Sequence, residues 1–367
     1  MPPRVMTRPL VCAKLGDVSV PRPATLADIA AAAGVSISTV SRALRGRGEM
    51  AADTRARVRT VAEDLGYSGA DRTGGRPRGG TALMIDLVLG TFHDPYADEV
   101  TAGARTAASE LGYDLVLTAE RDDPREDWPM RIRSRGTAGV ILGLILPTRA
   151  QRAALSGAGI PLVLLDPPSD AALPLPSVRT TDRAGGAAAA RHLVERGAER
   201  FLVIGGAPSY RYGRARVEGF TETIRELAPH APLARTSADW SGRDARKACA
   251  AALGRLDGEG PIGVFACSDE MAAGAYPAIA DAGLGIPRDV LVVGFDDVRG
   301  ARWLQPPLTT IRQPIREMAA AAVRTLTATG NGTVGAHSAV ELPTELIARG
   351  STATRSRVRA AVTSPSH

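Results

Sequence analysis

Apolar side chains recur along this 367-residue chain at two spacings, and the change from one to the other predicts two kinds of structure. Near the N-terminus they fall three and four residues apart, the period of one helical face: Leu26, Ile29, Ala30 and Ala33, then Val40, Ala43 and Leu44, then Val58, Val61, Ala62 and Leu65. Three helices are expected. Thr25 with Asp28 three residues on has the form of a capping box and opens the first. Gly34 ends it, because the turn that follows needs a residue tolerant of positive φ. The second starts near Ser36 and turns Ile37, Ser38, Ser41, Arg42 and Arg45 outward. After a Gly46-Arg47-Gly48-Glu49 loop the third runs from Met50 to Leu65, with Gly66 as its stop.

Past residue 80 the pattern becomes short continuous apolar runs separated by helical segments. Runs at Ala82–Val88, Leu115–Leu117, Gly139–Leu146, Pro161–Leu165, Phe201–Ile204, Gly263–Cys267 and Val290–Val293 have the form of parallel strands buried on both faces. Helical stretches such as Ala97–Leu111, Gly185–Arg196, Arg216–Leu227, Asp244–Leu253 and Met271–Ala282 alternate with them. Alternation on this scale predicts doubly wound α/β sheets. Between the two patterns, Ser68–Gly80 is rich in Gly, Arg and Pro without an apolar period and reads as a linker.

Composition then narrows the function. A hydrophobic content of 44% supports a substantial core, and the length suits two or three domains. No run approaches the roughly 18–20 apolar residues of a membrane helix. Met1–Arg22 carries scattered prolines and arginines and lacks a signal-peptide pattern, so it is expected to be a disordered arm, with Met6 a second candidate start. Cys12, Cys249 and Cys267 are odd in number and far apart, which argues against a disulfide framework or a metal site; Cys267 is expected to be a small buried hydrophobe. Residues 1–80 hold 13 Lys and Arg against 7 Asp and Glu, whereas the whole chain holds 45 and 39, so the remainder is balanced. All the net positive charge lies with the helical N-terminal part, the distribution expected if that part alone sits on phosphates.

Two short helices joined by a glycine turn make a helix-turn-helix, whose second helix lies in the DNA major groove, or an ordinary helical hairpin. The residues Thr25-Leu26, Asp28-Ile29-Ala30, Ala33-Gly34-Val35-Ser36 and Thr39-Val40-Ser41-Arg42-Ala43-Leu44 are very similar to the headpiece of the LacI-type (lactose-repressor) family. That resemblance implies a DNA-binding role for the outward face. Arg42 is the best candidate for a base contact, because a guanidinium offers two parallel donors to guanine; its alternative is a phosphate contact. Ile37 and Ser38 occupy the family's two specificity positions, against the alternative of plain helix surface. Thr25, Ser36, Thr39 and Ser41 are expected as phosphate anchors or caps, and Arg45 joins them on the DNA face. In the family the segment after the headpiece folds into a hinge helix that wedges a leucine into the minor groove. Here Arg76 stands at that position between glycines, which disfavour helix, so Arg72, Arg76 and Arg78 are expected to meet the minor groove or phosphates, or to form a basic tether.

The resemblance continues through Thr181-Asp182-Arg183-Ala184-Gly185-Gly186, Arg216-Val217-Glu218-Gly219-Phe220, Asp269-Glu270-Met271-Ala272, Val293-Gly294-Phe295-Asp296-Asp297, Pro306-Pro307-Leu308-Thr309-Thr310-Ile311 and Leu342-Pro343-Thr344-Glu345. It implies an α/β fold with an N-terminal three-helix headpiece (23–67), a hinge (68–80) and two doubly wound α/β subdomains of the type I periplasmic-binding-protein-like kind (81–352), followed by a disordered tail (353–367). The chain is expected to cross between subdomains near 178–181, 309–312 and 340. Sheets of this kind bind ligands at the carboxyl ends of their strands. There stand Asp94 and Tyr96 after the first strand, Asp166 after the fourth, Ser268, and Asp296 after the last, all candidates for hydrogen bonds to an effector. Arg216 could clamp vicinal hydroxyls or a carboxylate, or make an interdomain ion pair, and Trp240 could lie on a sugar ring or belong to the core. Asp182 is expected mainly as a cap. Arg183 adds a cation that hints at an anionic effector.

No G-x-G-x-x-G after a strand, G-x-x-x-x-G-K-[ST] or G-x-S-x-G is present, so neither an enzyme nor a cofactor or metal is expected. The expected protein is a cytoplasmic homodimeric regulator, a repressor, that binds double-stranded operator DNA and answers to a small molecule, a carbohydrate. A sugar carrier built on the same cleft, an activator of the same architecture and an enzyme with a DNA module are the alternatives.

Overall fold

The computed structural model describes residues 26–45, 50–65, 84–120, 127–169, 173–330 and 338–353. The chain divides into two compact units, Met1–Gly74 and Gly75–His367. In the first, α1 (Leu26–Ala33), α2 (Ile37–Arg45) and α3 (Ala52–Asp64) pack about a small core of Ile29, Ala30, Ala33, Val40, Ala43, Val58 and Ala62. Gly34 takes φ +65°, the left-handed turn its position calls for. The third helix starts two residues later than expected, and Leu65 lies past its end, 41% exposed instead of buried. Thr25, Gly66, Arg72, Arg76, Arg78 and the arm, linker and tail segments lie outside the described residues.

The second unit holds two six-stranded sheets. The first has strand order β11 (Ala339–Leu342), β5 (Ser177–Thr180), β4 (Leu162–Leu165), β3 (Gly139–Gly143), β1 (Met84–Leu89), β2 (Asp114–Ala119), all parallel. The second runs β12 (Glu345–Ile347), β10 (Thr309–Arg312), β9 (Val290–Asp296), β8 (Ile262–Ala266), β6 (Arg200–Gly205), β7 (Leu233–Ser237), parallel except for β12. We call the two layers the N-lobe and the C-lobe. The chain passes from the first to the second after β5, returns after β10 to α11 (Ile315–Gly330), and crosses again between β11 and β12.

Both sheets are covered by helices, which explains the unbroken apolar runs of their central strands. The run at Leu115–Leu117 is the exception: β2 is an edge strand, and Leu117 is 47% exposed where a doubly buried strand was expected. The C-lobe is built about Phe201, Phe220, Phe265 and Phe295, which meet ring on ring in a chain from one face of the sheet toward the ligand-facing end of β9. Full burial of such side chains contributes about 1.5–3 kcal/mol each. Helices α7 (Asp182–Glu195) and α8 (Arg211–Leu227) approach so closely at Gly186 that any Cβ there would strike the backbone of Arg216. That approach sets Arg216 beside Asp182 and so shapes the site.

Candidate functional site

The headpiece presents its candidate face outward. Ile37 is 54% exposed, Ser36, Ser38 and Arg42 are exposed, and Thr39 and Ser41 are half-buried. Ser36 caps α2: its Oγ accepts the Thr39 amide N–H at 3.2 Å and lies 2.8 Å from the hydroxyls of Ser38 and Thr39. Arg42 donates only to the Ser38 carbonyl, at 3.4 Å, so its terminal amino groups have no partner among the described residues. Arg45 ends the helix, and its side chain falls outside the description, as Thr25 and Arg76 do.

In the second unit the seven cleft candidates come together. Asp94, Tyr96, Asp166, Arg216, Trp240, Ser268 and Asp296 line one cavity of about 190 Å³ between the lobes. Asp94 and Tyr96 come from the start of α4 (Pro95–Glu110), whose N-cap is Asp94; its Oδ1 accepts the Ala97 N–H at 2.7 Å. Ser268 likewise caps α10 (Asp269–Asp281), accepting from Met271 at 3.2 Å. Both residues therefore have a structural role beside their place in the lining.

Backbone strain concentrates here. Five non-glycine residues among those described take positive φ, and four of them, Leu144 (58°), Asp166 (46°), Trp240 (55°) and Asp296 (115°), line the cavity. Such conformations cost about 1–3 kcal/mol each and persist where the surroundings impose them, commonly at ligand sites. Three unpaired buried polar atoms belong to the same lining: Tyr96 Oη, Trp240 Nε1 and Gln313 Oε1 have no hydrogen-bond partner among the described residues. An orphaned buried group costs about 1–3 kcal/mol, a cost that a bound polar ligand removes.

At the back of the cavity lies a buried charge network. Arg216, 3% exposed, donates from Nε to Asp182 at 2.9 Å and from Nη1 to the Cys267 carbonyl at 2.7 Å, with Asp296 at 3.5 Å. Its guanidinium stacks 3.8 Å from the Phe295 ring centroid. Arg211 joins the lobes, donating to Asp166 at 2.8 Å and Asp182 at 3.0 Å. Asp182, expected mainly as a cap, is the carboxylate that both arginines share. Arg216 is ion-paired within the C-lobe, and Arg211 makes the pair that crosses to Asp166.

Three carboxylates share two guanidiniums, and burial favours the neutral acid. Burial, reinforced by Asp182, pushes the Asp166 carboxyl up to about 7 against the pull of Arg211. Burial likewise raises Asp296 to about 6 against Arg216 and Gln313. The Tyr96 and Tyr212 phenols are raised by burial and then by Asp166. Burial opposes the charge of Arg216, but Asp182, Asp296 and Asp166 together hold it above the ordinary arginine range. The Cys267 thiol, fully buried as expected, is pushed by that burial to about 12 and is unreactive.

Arg183 does not join the site. It pairs with Glu218 and Glu222 on the exposed face of α8, so the hint of an anionic effector loses its basis. Six lining residues were not singled out from the sequence, Pro95 and Val298 among them. Tyr212 stands four residues before Arg216 on α8 and forms an aromatic cluster with Tyr210 and Trp240. Gln313 donates to Asp296 at 2.6 Å just past β10. Glu270 follows Ser268 by two residues, and Leu144 follows β3. The i, i+4 spacing of Tyr212 and Arg216 was the one local signal available. Gly206 gives Trp240 its bed, since a Cβ there would strike the indole ring.

Among the described residues no group of His, Cys, Asp and Glu is placed to hold a metal, and no helix is long and apolar enough to cross a membrane.

Comparison with known proteins places this geometry. Residues 25–69 match the model of bacterial regulatory proteins of the lacI family, and residues 190–352 match that of the periplasmic binding protein-like domain. The HTH-type transcriptional regulator reg1 of Streptomyces lividans is 34% identical over 343 residues, which cover 89% of this chain and 96% of the relative. Among solved structures, the lac repressor dimer bound to operator and the anti-inducer ONPF superposes with a TM-score of 0.67 at 27% identity, covering 90% of this chain and 99% of that one. A CelR–cellobiose complex follows with a TM-score of 0.65 at 26% identity, covering 89% and 99%. These relatives are transcriptional regulators and not enzymes, and with reg1 matched over nearly its whole length the chain belongs to the lacI family of bacterial regulatory proteins.

Proposed function

We propose that the chain is a cytoplasmic repressor, acting as a homodimer on a pseudo-palindromic operator and controlled by a carbohydrate bound between its two lobes. In this reading 23–67 is the DNA-binding domain, 68–80 the hinge and 81–352 the effector-binding and dimerisation region. Ile37, Ser38 and Arg42 read bases, while Thr25, Ser36, Thr39, Ser41, Arg45 and Arg76 meet backbone or groove. Asp94, Tyr96, Asp166, Arg216, Trp240, Ser268 and Asp296 hold the effector. The observation that carries the reading is the cavity itself, where strained residues and orphaned polar atoms from both lobes meet. Two neighbours support its partners: one is an operator-bound dimer and the other a cellobiose complex. A ligand bridging both lobes changes their angle, and it shifts DNA affinity only as far as it prefers one arrangement.

The test is a selection of binding sequences from random duplex DNA, repeated across a panel of sugars. The expected result is one inverted-repeat site whose affinity changes about 5- to 150-fold with at least one sugar, matching a coupling of about 1–3 kcal/mol. Uniform affinity for all sequences, or a selected site indifferent to every sugar, overturns the reading.

A further inference from the structure

The charge and donor balance of the cavity constrain its ligand further, on the reading that this cavity is the effector site. We infer that the effector is a hydroxylated ring bearing a positively charged amino group, received by the cavity's carboxylates and aromatic walls. The lining holds four carboxylates, Asp94, Asp166, Glu270 and Asp296, against one cation, Arg216. That cation is already committed to Asp182, to Asp296 and to the Cys267 carbonyl. Behind the lining, Arg211 pairs with Asp182 and with the lining carboxylate Asp166, so that with these two included two guanidiniums stand against five carboxylates. Asp94 and Glu270 have no ion pair among the described residues: Asp94 accepts the Ala97 N–H, and Glu270 accepts the Gly242 N–H at 3.4 Å.

Two helix N-termini, those of α4 and α10, open on this cavity, and such ends attract anions. Here each already carries a carboxylate of the protein's own, so a phosphate or carboxylate on the ligand would meet like charge at both. A cation meets the reverse. The aromatic side chains of Tyr96, Tyr212 and Trp240 in the lining add a surface that attracts an ammonium. The hydrogen-bond demand is of two kinds: Trp240 Nε1 is a buried donor in need of an acceptor, which a ring hydroxyl supplies, and Gln313 is the reverse. The Gln313 amide is fixed by its Nε2 bond to Asp296, which leaves Oε1 as a buried acceptor in need of a donor. An ammonium supplies three donors and no acceptor. Burial raises the Asp166 and Asp296 carboxyls, and a cation beside them would offset that displacement.

The experiment is calorimetric titration of the full-length protein with matched sets built on one hexose at a time: glucose, glucosamine, N-acetylglucosamine, glucuronate and glucose 6-phosphate, then the galactose and mannose counterparts. In at least one set the amine binds about tenfold or more tighter than its neutral and N-acetyl forms, and the acidic forms do not compete. Asp94→Asn, which still caps α4, and Glu270→Gln each bring the ratio of amine to neutral-hexose affinity toward one, whatever each does to the affinity for the neutral hexose itself. A neutral or acidic sugar bound as tightly as its amine overturns the inference and leaves the carbohydrate reading standing. An amine preference unchanged in both variants also overturns it. Silence from every sugar overturns the carbohydrate reading, and this inference with it.

Discussion

Arg42 and Arg216 carry the same guanidinium, and the two units of the chain place it in opposite surroundings. Arg42 stands exposed on a nine-residue helix, with a single hydrogen bond to its own backbone. Arg216 is buried between Phe295 and Tyr212 and ringed by Asp182, Asp296 and the Cys267 carbonyl. Under the proposed function, Arg42 keeps its terminal donors for a partner that arrives from solution as phosphate or base. The body has spent nearly all of Arg216 internally, so a ligand there meets a preformed array in which only the remaining unpaired atoms respond. Exposure thus favours rapid, salt-sensitive capture, whereas burial favours discrimination, since each mismatched polar group in a dry site costs about 1–3 kcal/mol.

The largest effect that comparison predicts is at Arg216. Removing one partner of a buried ion pair leaves the other charges uncompensated and costs about 3–5 kcal/mol. Arg216→Ala is therefore expected to lower the denaturant stability of the body by that amount and to abolish any sugar response. Arg216→Lys keeps the charge but loses the fork that reaches Asp182 and the Cys267 carbonyl together, and it recovers only part of the loss. A cost under about 1 kcal/mol for the alanine variant would break the contrast, because a guanidinium so cheaply removed is not holding its carboxylates.

Next in size is a pH effect at Asp166. Its carboxyl is raised to about 7 when folded, from about 3.9 in an unfolded chain. The folded state therefore holds that proton more tightly, so the contribution to stability is full below about pH 4 and declines as pH rises to about 7. Between pH 5 and pH 7 the decline amounts to about 2–3 kcal/mol. Asp166→Asn removes this titration while leaving Asp296 in place. Urea unfolding at steps from pH 5 to pH 8 should show wild type losing stability relative to the variant by that amount. Parallel curves would mean that Arg211 keeps Asp166 ionised throughout.

What could be read from the sequence follows the range of the interactions. Helix faces, the Gly34 turn and the central strands depend on neighbours within a turn or on continuous burial, and their positions came out within a few residues. Leu65 and Leu117 were misplaced because periodicity reports that a residue is apolar without reporting that its helix has ended or that its strand is an edge. The seven cleft candidates line one cavity because most lie at strand ends or in stretches of the family pattern, both of which are local in sequence. Gln313 escaped: it lies 17 residues from Asp296 and meets it only because β10 pairs with β9 in a register that sets Arg312 opposite Asp296. Arg183 misled for the same reason, its two glutamates lying one turn apart on a different helix. The charge network is a product of topology, which brings Asp166, Asp182, the α8 pair Arg211 and Arg216, and Asp296 together from four separate places in the chain.

The smallest effect tests the exposed side of the comparison. If Arg42 reads a base, Arg42→Ala should relax preference at one position of the half-site by about 1–3 kcal/mol and leave the other positions nearly unchanged. If it meets only phosphate, affinity falls alike on every sequence and the salt slope drops by about one counterion. The first outcome is the one expected: Nε donates to the Ser38 carbonyl at 3.4 Å, and the two terminal amino groups, without a partner among the described residues, are left for a base edge. A binding isotherm on single-base variants at two salt concentrations separates the two. A uniform loss would make Ile37 and Ser38 the only readers left on α2, and the headpiece would then owe its sequence preference to a methyl contact and a hydroxyl, both weak discriminators.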